Sequence, residues 1–145
     1  MPDKDVVMAK ISTIKRCLNR IRETTNNDSD SLDNIDKQDI FVLNLQRCVQ
    51  AVIDLATHIV ASEGLGLPDT IKDNFRLLLE KGITDEELAV KMERMVGFRN
   101  IAVQNYQSID KEILKSILRE HLPDIEAFYD SVIKYFCWSK DRGHL

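Results

Sequence analysis

The sequence predicts an all-α protein, a bundle of about five to six helices. Apolar residues recur at steps of three and four along most of the chain, which is the period of a helix that buries one face. The 145 residues include only five Gly and three Pro, and no segment alternates polar and apolar residues as a half-buried strand does. Because 145 residues suit one domain of ordinary size, residues 1–145 are expected to form a single domain.

The first predicted helix spans about residues 4–23. Its apolar stripe consists of Val7, Ile11, Ile14, Leu18 and Ile21. Residues 23–35 are rich in Thr, Asn, Asp and Ser and carry no periodic stripe, which indicates a mobile connecting loop. From Asp36 a second stripe runs without Gly or Pro as far as Gly64, so the longest helix is expected here. Val42, Ile53 and Val60 widen its apolar surface, which predicts neighbours on more than one side.

Two shorter helices are predicted next. Residues 68–70, Pro-Asp-Thr, are expected to open a third helix that ends near Gly82. Thr84, with Glu87 three residues later, has the spacing of a capping box, in which each side chain bonds the other residue's backbone N–H. A fourth helix is therefore expected to begin there and to continue toward the run GFRNIAVQNYQ.

The last third of the chain predicts one further helical region. It begins near Asp110, and Pro123 is expected to bend or restart it, because proline cannot donate the helical hydrogen bond. Residues 139–145 carry no periodic stripe and are expected to form a tail.

Charge is unevenly distributed along the chain, whose net charge is -4. Five basic residues and no acidic residue lie between Lys10 and Arg22, whereas five aspartates and one lysine lie between Asp28 and Asp39. The first segment could contact phosphate groups, with Lys15 and Arg16 as candidates, or it could simply be the solvated face of a helix.

The cysteines and the hydropathy favour a cytoplasmic protein. Cys17, Cys48 and Cys137 are odd in number and far apart, which predicts reduced thiols rather than a disulfide framework or a zinc site. No run of apolar residues approaches the roughly 18 that span a bilayer, and the first ten residues lack the apolar stretch of a signal peptide. No membrane partner is expected.

Common catalytic motifs are absent from the sequence. It contains no G-x-x-x-x-G-K-[ST], G-x-G-x-x-G, G-x-S-x-G or H-E-x-x-H, and no Cys/His cluster. Phosphate-loop, dinucleotide, serine-hydrolase and zinc chemistry therefore lose support, and no cofactor or metal is expected.

Polar groups interrupt the stripe of the fourth helix. Met92, Met95, Arg99 and Tyr106 would share one face if that helix continued through residue 106. Burying an arginine without a partner is costly, so Arg99 should contact a carboxylate, an aromatic ring or an anion. The spacing leaves a structural salt bridge and an anion-binding site both open.

Residues 97–106, GFRNIAVQNY, resemble the signature of the HEPN-domain toxins of the HepT kind, in which R-x-x-x-x-H-x-Y follows a G-F or similar pair. The order of predicted helices resembles that family over nearly the whole chain, with a long second helix and a final helix interrupted by proline. The resemblance implies a HEPN-like helical bundle that forms a dimer.

The resemblance also implies a function. The family consists of metal-independent ribonucleases, toxins of prokaryotic toxin–antitoxin pairs whose partner is a minimal nucleotidyltransferase antitoxin. The motif's Arg and His from two subunits form one composite cleft, and the motif's Tyr accepts AMP from the antitoxin. Carried over, Arg99 would stabilise charge on a phosphate of RNA, either tRNA or mRNA. Tyr106 would be the site of modification. Asn100 is a further candidate for substrate binding, as are Lys15 and Arg16, which the charge pattern rather than the motif suggests.

The sequence departs from the family pattern at Gln104, where the family has His. A glutamine amide can hydrogen-bond but cannot exchange a proton at physiological pH, so catalysis should be impaired. The impaired form could be a natural inactive member or an engineered one. Two other interpretations are a non-enzymatic HEPN-like module, which binds a nucleotide or docks a nucleotidyltransferase, and a bundle whose motif is only structural.

Overall fold

The computed structural model describes residues 1–138, which form six α-helices and no strand. The all-α prediction is confirmed. The helices are α1 (Lys4–Thr25), α2 (Ile35–Ser62), α3 (Asp73–Lys81), α4 (Glu86–Gln104), α5 (Lys111–Ser116) and α6 (Leu122–Tyr135). Short 3-10 turns lie at Ser29–Asp33 and Tyr106–Ser108, and a π-helical segment, Ile117–His121, joins α5 to α6.

Helix α2 is the centre of the bundle. It packs along α1 on one side and against α3 and α4 on others. Val42, Ile53 and Val60 are all buried, which confirms the prediction that this helix is covered on more than one side. Phe75 of α3 and Phe128 of α6 meet edge to face, with ring centroids 5.7 Å apart, and add to the same core.

By length and composition, α2 is also the one helix among residues 1–138 that could cross a membrane. The hydropathy of the sequence predicted no such segment. In the structure 61% of its most apolar window is buried inside the bundle, which is the environment of a core helix.

The third helix begins later than predicted. Residues 68–70 precede it, and α3 starts at Asp73, whose carboxylate accepts hydrogen bonds of 3.0 Å from the backbone N–H groups of Asp69 and Thr70. Its end agrees with the prediction, because Gly82 caps the helix in the left-handed conformation, with φ of 84°.

The predicted capping box at Thr84 is wrong by one residue. The N-cap of α4 is Asp85, whose carboxylate accepts a 2.8 Å hydrogen bond from the backbone N–H of Leu88. The Thr84 hydroxyl is buried and has no hydrogen-bond partner within residues 1–138. Aspartate is as good an N-cap as threonine, so Asp85 can cap the helix in place of Thr84.

Residues 23–35 contain more structure than a connecting loop. Helix α1 continues to Thr25, and the following 3-10 turn buries Leu32 completely. Lys115 of α5 binds Asp33 at 3.0 Å and Asp30 at 3.5 Å, which joins this turn to α5. The mobility of the segment stays a prediction, and the predicted tail, 139–145, lies outside the described residues.

The prediction that Pro123 restarts the last helical region is confirmed. Pro123 stands in the first turn of α6, where its missing N–H costs nothing, and the π-helical segment comes immediately before it.

Candidate active site

Arg99 lies half-buried in the last third of α4, where it faces α2. Its Nη2 donates a 2.7 Å hydrogen bond to Oε1 of Gln50, and its Nη1 donates a 3.0 Å bond to Oδ1 of Asn100. Neither partner is charged, and no carboxylate among residues 1–138 contacts Arg99. The salt bridge that the spacing left open is therefore not formed in this part of the chain. A guanidinium has five N–H donors, so donors remain for an anion.

Gln50 joins Arg99 to a chain of polar side chains that crosses three helices. Its Nε2 donates a 2.8 Å bond to Oδ1 of Asp54, and Nζ of Lys10 on α1 lies 3.3 Å from Oδ2 of the same carboxylate. An ionised carboxylate only accepts hydrogen bonds, so the amide nitrogen of Gln50 must face Asp54 and its oxygen must face Arg99. These hydrogen bonds therefore fix the orientation of the Gln50 amide.

A cleft of about 450 Å³ lies between α1 and α2, beside this chain. Its basic lining residues are Lys10, Arg16 and Arg47, and Gln50 and Asp54 form part of its wall. The guanidinium of Arg16 donates to the hydroxyls of Ser12 and Thr13, at 3.4 and 3.2 Å.

Cys17 also lines the cleft. Burial raises the pKa of the Cys17 thiol, although the positive charges of Arg47 and Arg16 act in the opposite direction. The thiol is therefore protonated at neutral pH and is a weak nucleophile.

Lys15 and Arg16 are neighbours in sequence but point to different places. Arg16 lines the cleft, whereas Nζ of Lys15 lies 5.5 Å from the ring centroid of Tyr129 on α6. The structure therefore separates the two basic candidates and adds Arg47, which the sequence analysis did not select.

Helix α4 ends at Gln104, and this overturns the predicted position of Tyr106. Asn105 leaves the helical conformation, with φ of -152° and ψ of 73°, so Tyr106 belongs to the following 3-10 turn. Tyr106 and Arg99 do not share a helical face. Gln104 is exposed at the end of the helix, with no hydrogen bond from its side chain to any other residue in 1–138.

Tyr106 instead contacts α2. Its hydroxyl donates a hydrogen bond to the carboxylate of Asp39. Burial of the ring and then the bond to Asp39 raise the pKa of Tyr106 to about 12. Tyr106 and Asp39 line an open pocket of about 390 Å³ together with Ile35, Gln38, Gln107 and Ile109. The modification candidate therefore lies in an open pocket on the surface of the protein.

The family model described as "Ribonuclease HepT-like" matches residues 14–132, most of the chain. The protein belongs to this HepT-like family. The match includes the predicted motif, all of α2 and α4, and α1 from Ile14 onward.

Similar proteins cover nearly all of this HepT-like chain. The mRNA nuclease HepT of Shewanella oneidensis is 39% identical over 128 residues, which is 88% of this chain and 96% of that protein. A solved structure of the tri-AMPylated Shewanella oneidensis HEPN toxin in complex with its MNT antitoxin has a TM-score of 0.85 and 38% identity, and the match covers 91% of this chain and 99% of that one. A toxin–antitoxin structure with AMP-PNP also has a TM-score of 0.85, with 37% identity, and covers 90% and 99%.

Sequence reasoning missed the α2 half of the HepT-like site. Asp39, Arg47, Gln50 and Asp54 all lie on α2, at spacings of three, four and eight residues that repeat the helical period. Polar residues that recur at this period mark one face of the helix, and that pattern could have singled them out. Among residues 1–138, no three His, Cys, Asp or Glu side chains are grouped so as to hold a metal ion.

Proposed function

We propose that this HepT-like protein is the ribonuclease toxin of a prokaryotic toxin–antitoxin pair, that it acts in the cytoplasm, and that Gln104 impairs its catalysis. One observation carries the proposal. The guanidinium of Arg99 is held by the neutral oxygens of Gln50 and Asn100 and contacts no carboxylate among residues 1–138, so its positive charge is available to a phosphate. The similarity to the mRNA nuclease HepT supports RNA as the source of that phosphate.

The proposed reaction needs no metal. The 2′-hydroxyl of RNA loses its proton and attacks the adjacent phosphorus, the bond from phosphorus to the 5′-oxygen of the next nucleotide breaks, and that oxygen leaves as a protonated hydroxyl. N–H donors of Arg99 bind the phosphate oxygens on which negative charge increases. Asn100 uses its amide oxygen on Arg99, which leaves its amide nitrogen to donate to the same phosphate. Gln104 cannot relay the proton that an imidazole would relay, and losing such a group lowers the rate on the order of 10² to 10⁴.

A dimer would complete the cleft by bringing two copies of the motif together. The wide apolar surface of α2 does not call for a second copy, because other helices of the same chain already cover it. Support comes instead from Ile101 and Val103, which flank the motif residues on α4 and are 51% and 61% exposed. A second copy seated on this end of α4 would bury them. Light scattering at micromolar concentration should give twice the mass of the chain, and a monomer would contradict the composite cleft.

Neutralisation would act at Tyr106, to which a nucleotidyltransferase antitoxin would transfer AMP. The structurally similar Shewanella toxin is AMPylated in its antitoxin complex, and Tyr106 lines an open pocket. Tyr106 follows Gln104 by two residues, so an attached AMP would place a bulky anion close to the end of α4. That anion would repel the RNA backbone by charge and by bulk.

Growth of a bacterial host tests the function. The Gln104→His variant should arrest growth when expressed alone and should be tolerated when the nucleotidyltransferase encoded with it is co-expressed. The Gln104→His, Arg99→Ala double variant should be harmless in both strains, because it lacks the phosphate-binding group. Arrest that persists in the double variant would show that the toxicity does not come from this site.

Gln104 itself favours a second candidate, a non-enzymatic module that binds a nucleotide or docks a nucleotidyltransferase. This candidate needs Arg99 and Asn100 for binding but does not need a proton-transfer group. Restoration of RNA cleavage by Gln104→His would exclude it.

A further inference from the structure

We propose that the cleft between α1 and α2 is a second phosphate site, in which Arg16 and Arg47 bind the RNA backbone next to the phosphate held by Arg99. The inference rests on the proposed ribonuclease function and extends it to residues outside the motif. It also identifies Gln50 as the positioning residue that holds Arg99 at the edge of the cleft.

Arg16 and Arg47 have no acidic partner among residues 1–138. Arg22 and Arg76 of this chain each form ion pairs of 2.8 Å, with Glu126 and Glu86. Arg16 donates only to hydroxyl groups, and within residues 1–138 the exposed Arg47 makes no hydrogen bond or ion pair. In a chain of 24 acidic and 20 basic residues, a cleft between two helices with two uncompensated guanidinium groups is suited to an anion.

The positive charges of Arg16 and Arg47 act on one and the same group of the cleft, the Cys17 thiol. The positive charges of Arg47, on α2, and of Arg16, on α1, both oppose the rise in the pKa of Cys17, a thiol that lines the cleft. Two like charges close to one point repel each other, and an anion between them removes that repulsion.

The cleft is connected to the motif through Gln50, which contacts both. Gln50 lines the cleft and accepts the 2.7 Å hydrogen bond from Arg99, so the guanidinium of Arg99 is one hydrogen bond away from the cleft lining. Asp54, the acidic residue of the lining, is already bound by Lys10 and by Gln50, which compensates its charge. A strand whose phosphate contacts Arg99 can therefore continue along the cleft without meeting a free carboxylate.

The residues that line the cleft also indicate which part of RNA the cleft would contact. It contains no aromatic side chain on which a base could stack. Contacts to phosphate position a strand but carry no sequence information, so the cleft should bind RNA of any sequence.

RNA binding at equilibrium tests the proposal, because the protein with Gln104 in place is expected to bind without rapid cleavage. The probe is a short single-stranded oligouridylate labelled with fluorescein, and the measurement is anisotropy over a series of salt concentrations. Arg16→Gln and Arg47→Gln should each weaken binding on the order of tenfold. Each should also reduce the slope of log K against log salt by about 0.7, the value for one phosphate contact to a single strand. Arg47→Lys keeps the charge and should keep the slope.

Arg119→Gln is the matched control. Arg119 is equally exposed and donates to a hydroxyl, that of Ser29, but does not line the cleft. Its replacement removes the same charge and should leave the slope unchanged. An equal loss of RNA affinity in Arg16→Gln, Arg47→Gln and Arg119→Gln would show that only the net charge matters and would overturn the proposal.

The remaining outcomes separate this inference from the function on which it rests. If Gln104→His cleaves RNA but Arg16→Gln and Arg47→Gln bind the oligouridylate as tightly as the parent, the second site is wrong and the ribonuclease stands. If the parent binds no RNA and Gln104→His cleaves none, both are wrong. Loss of ATP binding with unchanged RNA binding in Arg47→Gln would assign the cleft to a free nucleotide and overturn its assignment to RNA.

Discussion

Replacing Gln50 with leucine should release Arg99 while preserving α2. Leucine has good helix propensity and a similar volume, so the backbone and the packing should be retained. Arg99 would lose its 2.7 Å bond, and Asp54 would lose the 2.8 Å bond from the same amide but keep Lys10 at 3.3 Å. A hydrogen bond to a charged group is worth about 1.5–3 kcal/mol. Because Arg99 and Gln50 are only half-buried, we expect a loss near the lower end, about 1–2 kcal/mol.

A double-mutant cycle measures this interaction directly. Urea unfolding of the parent, Gln50→Leu, Arg99→Met and the double variant should give a coupling energy of about 1 kcal/mol. Gln46→Leu is the control, because Gln46 lies one turn earlier on α2 and makes no hydrogen bond from its side chain within residues 1–138. Its cycle with Arg99→Met should show no coupling. Additivity of the Gln50 and Arg99 changes to within about 0.5 kcal/mol would refute the positioning role.

Four further predictions concern the tyrosines and the 3-10 turn. Incubation with the partner nucleotidyltransferase, ATP and magnesium should add AMP to the parent and not to Tyr106→Phe, and equal addition to both by intact-mass spectrometry would contradict the assignment. Burial first, and then a nearby carboxylate, raise the pKa values of Tyr106 and Tyr129 from 10.0 to about 12. The folded state therefore keeps both phenol protons at pH values where the unfolded state loses them, so the contribution of these two tyrosines to stability, followed by urea titrations, should be constant below pH 10 and should be lost between pH 10 and 12. Asp39→Asn should lower the pKa of Tyr106 in an absorbance titration, and an unchanged value would show that burial alone raises it. Leu32→Ala should cost about 2–5 kcal/mol of stability in urea unfolding if the turn is part of the core, and a loss under about 1 kcal/mol would mean that it is not.

The helices were predictable because their apolar stripes are long and regular. The stripes of α1 and α2 have few breaks, and Gly64 and Gly82 stand just beyond two of the helix ends. The error at the start of α4 is a local choice between two neighbouring side chains. Asp85 rather than Thr84 caps α4, and both residue types suit that position.

The position of Tyr106 could not be predicted by extending the period of α4. The spacing of seven from Arg99 places the two on one face only while the helix lasts, and α4 ends at Gln104. Neither glycine nor proline marks that end in the sequence. The phenol consequently binds Asp39 on α2, a contact across 67 positions that no local pattern contains.

The partners of Arg99 were unpredictable for the same reason. Gln50 lies 49 residues away, and its amide meets the guanidinium only because α2 and α4 pack together. The sequence does predict that Arg99 has a partner, since an arginine in an apolar stripe needs one. Only the packing of the helices identifies that partner as a neutral amide.

RNA cleavage by the purified Gln104→His variant, with a metal chelator present, tests the central claim most directly. The account predicts cleavage on the order of 10² to 10⁴ faster than by the parent, because the imidazole restores proton transfer beside a phosphate held by Arg99. It also predicts that the Gln104→His, Arg99→Ala variant, shown to be folded by circular dichroism, loses that gain. Absence of cleavage by Gln104→His, or equal cleavage after loss of Arg99, would contradict the account.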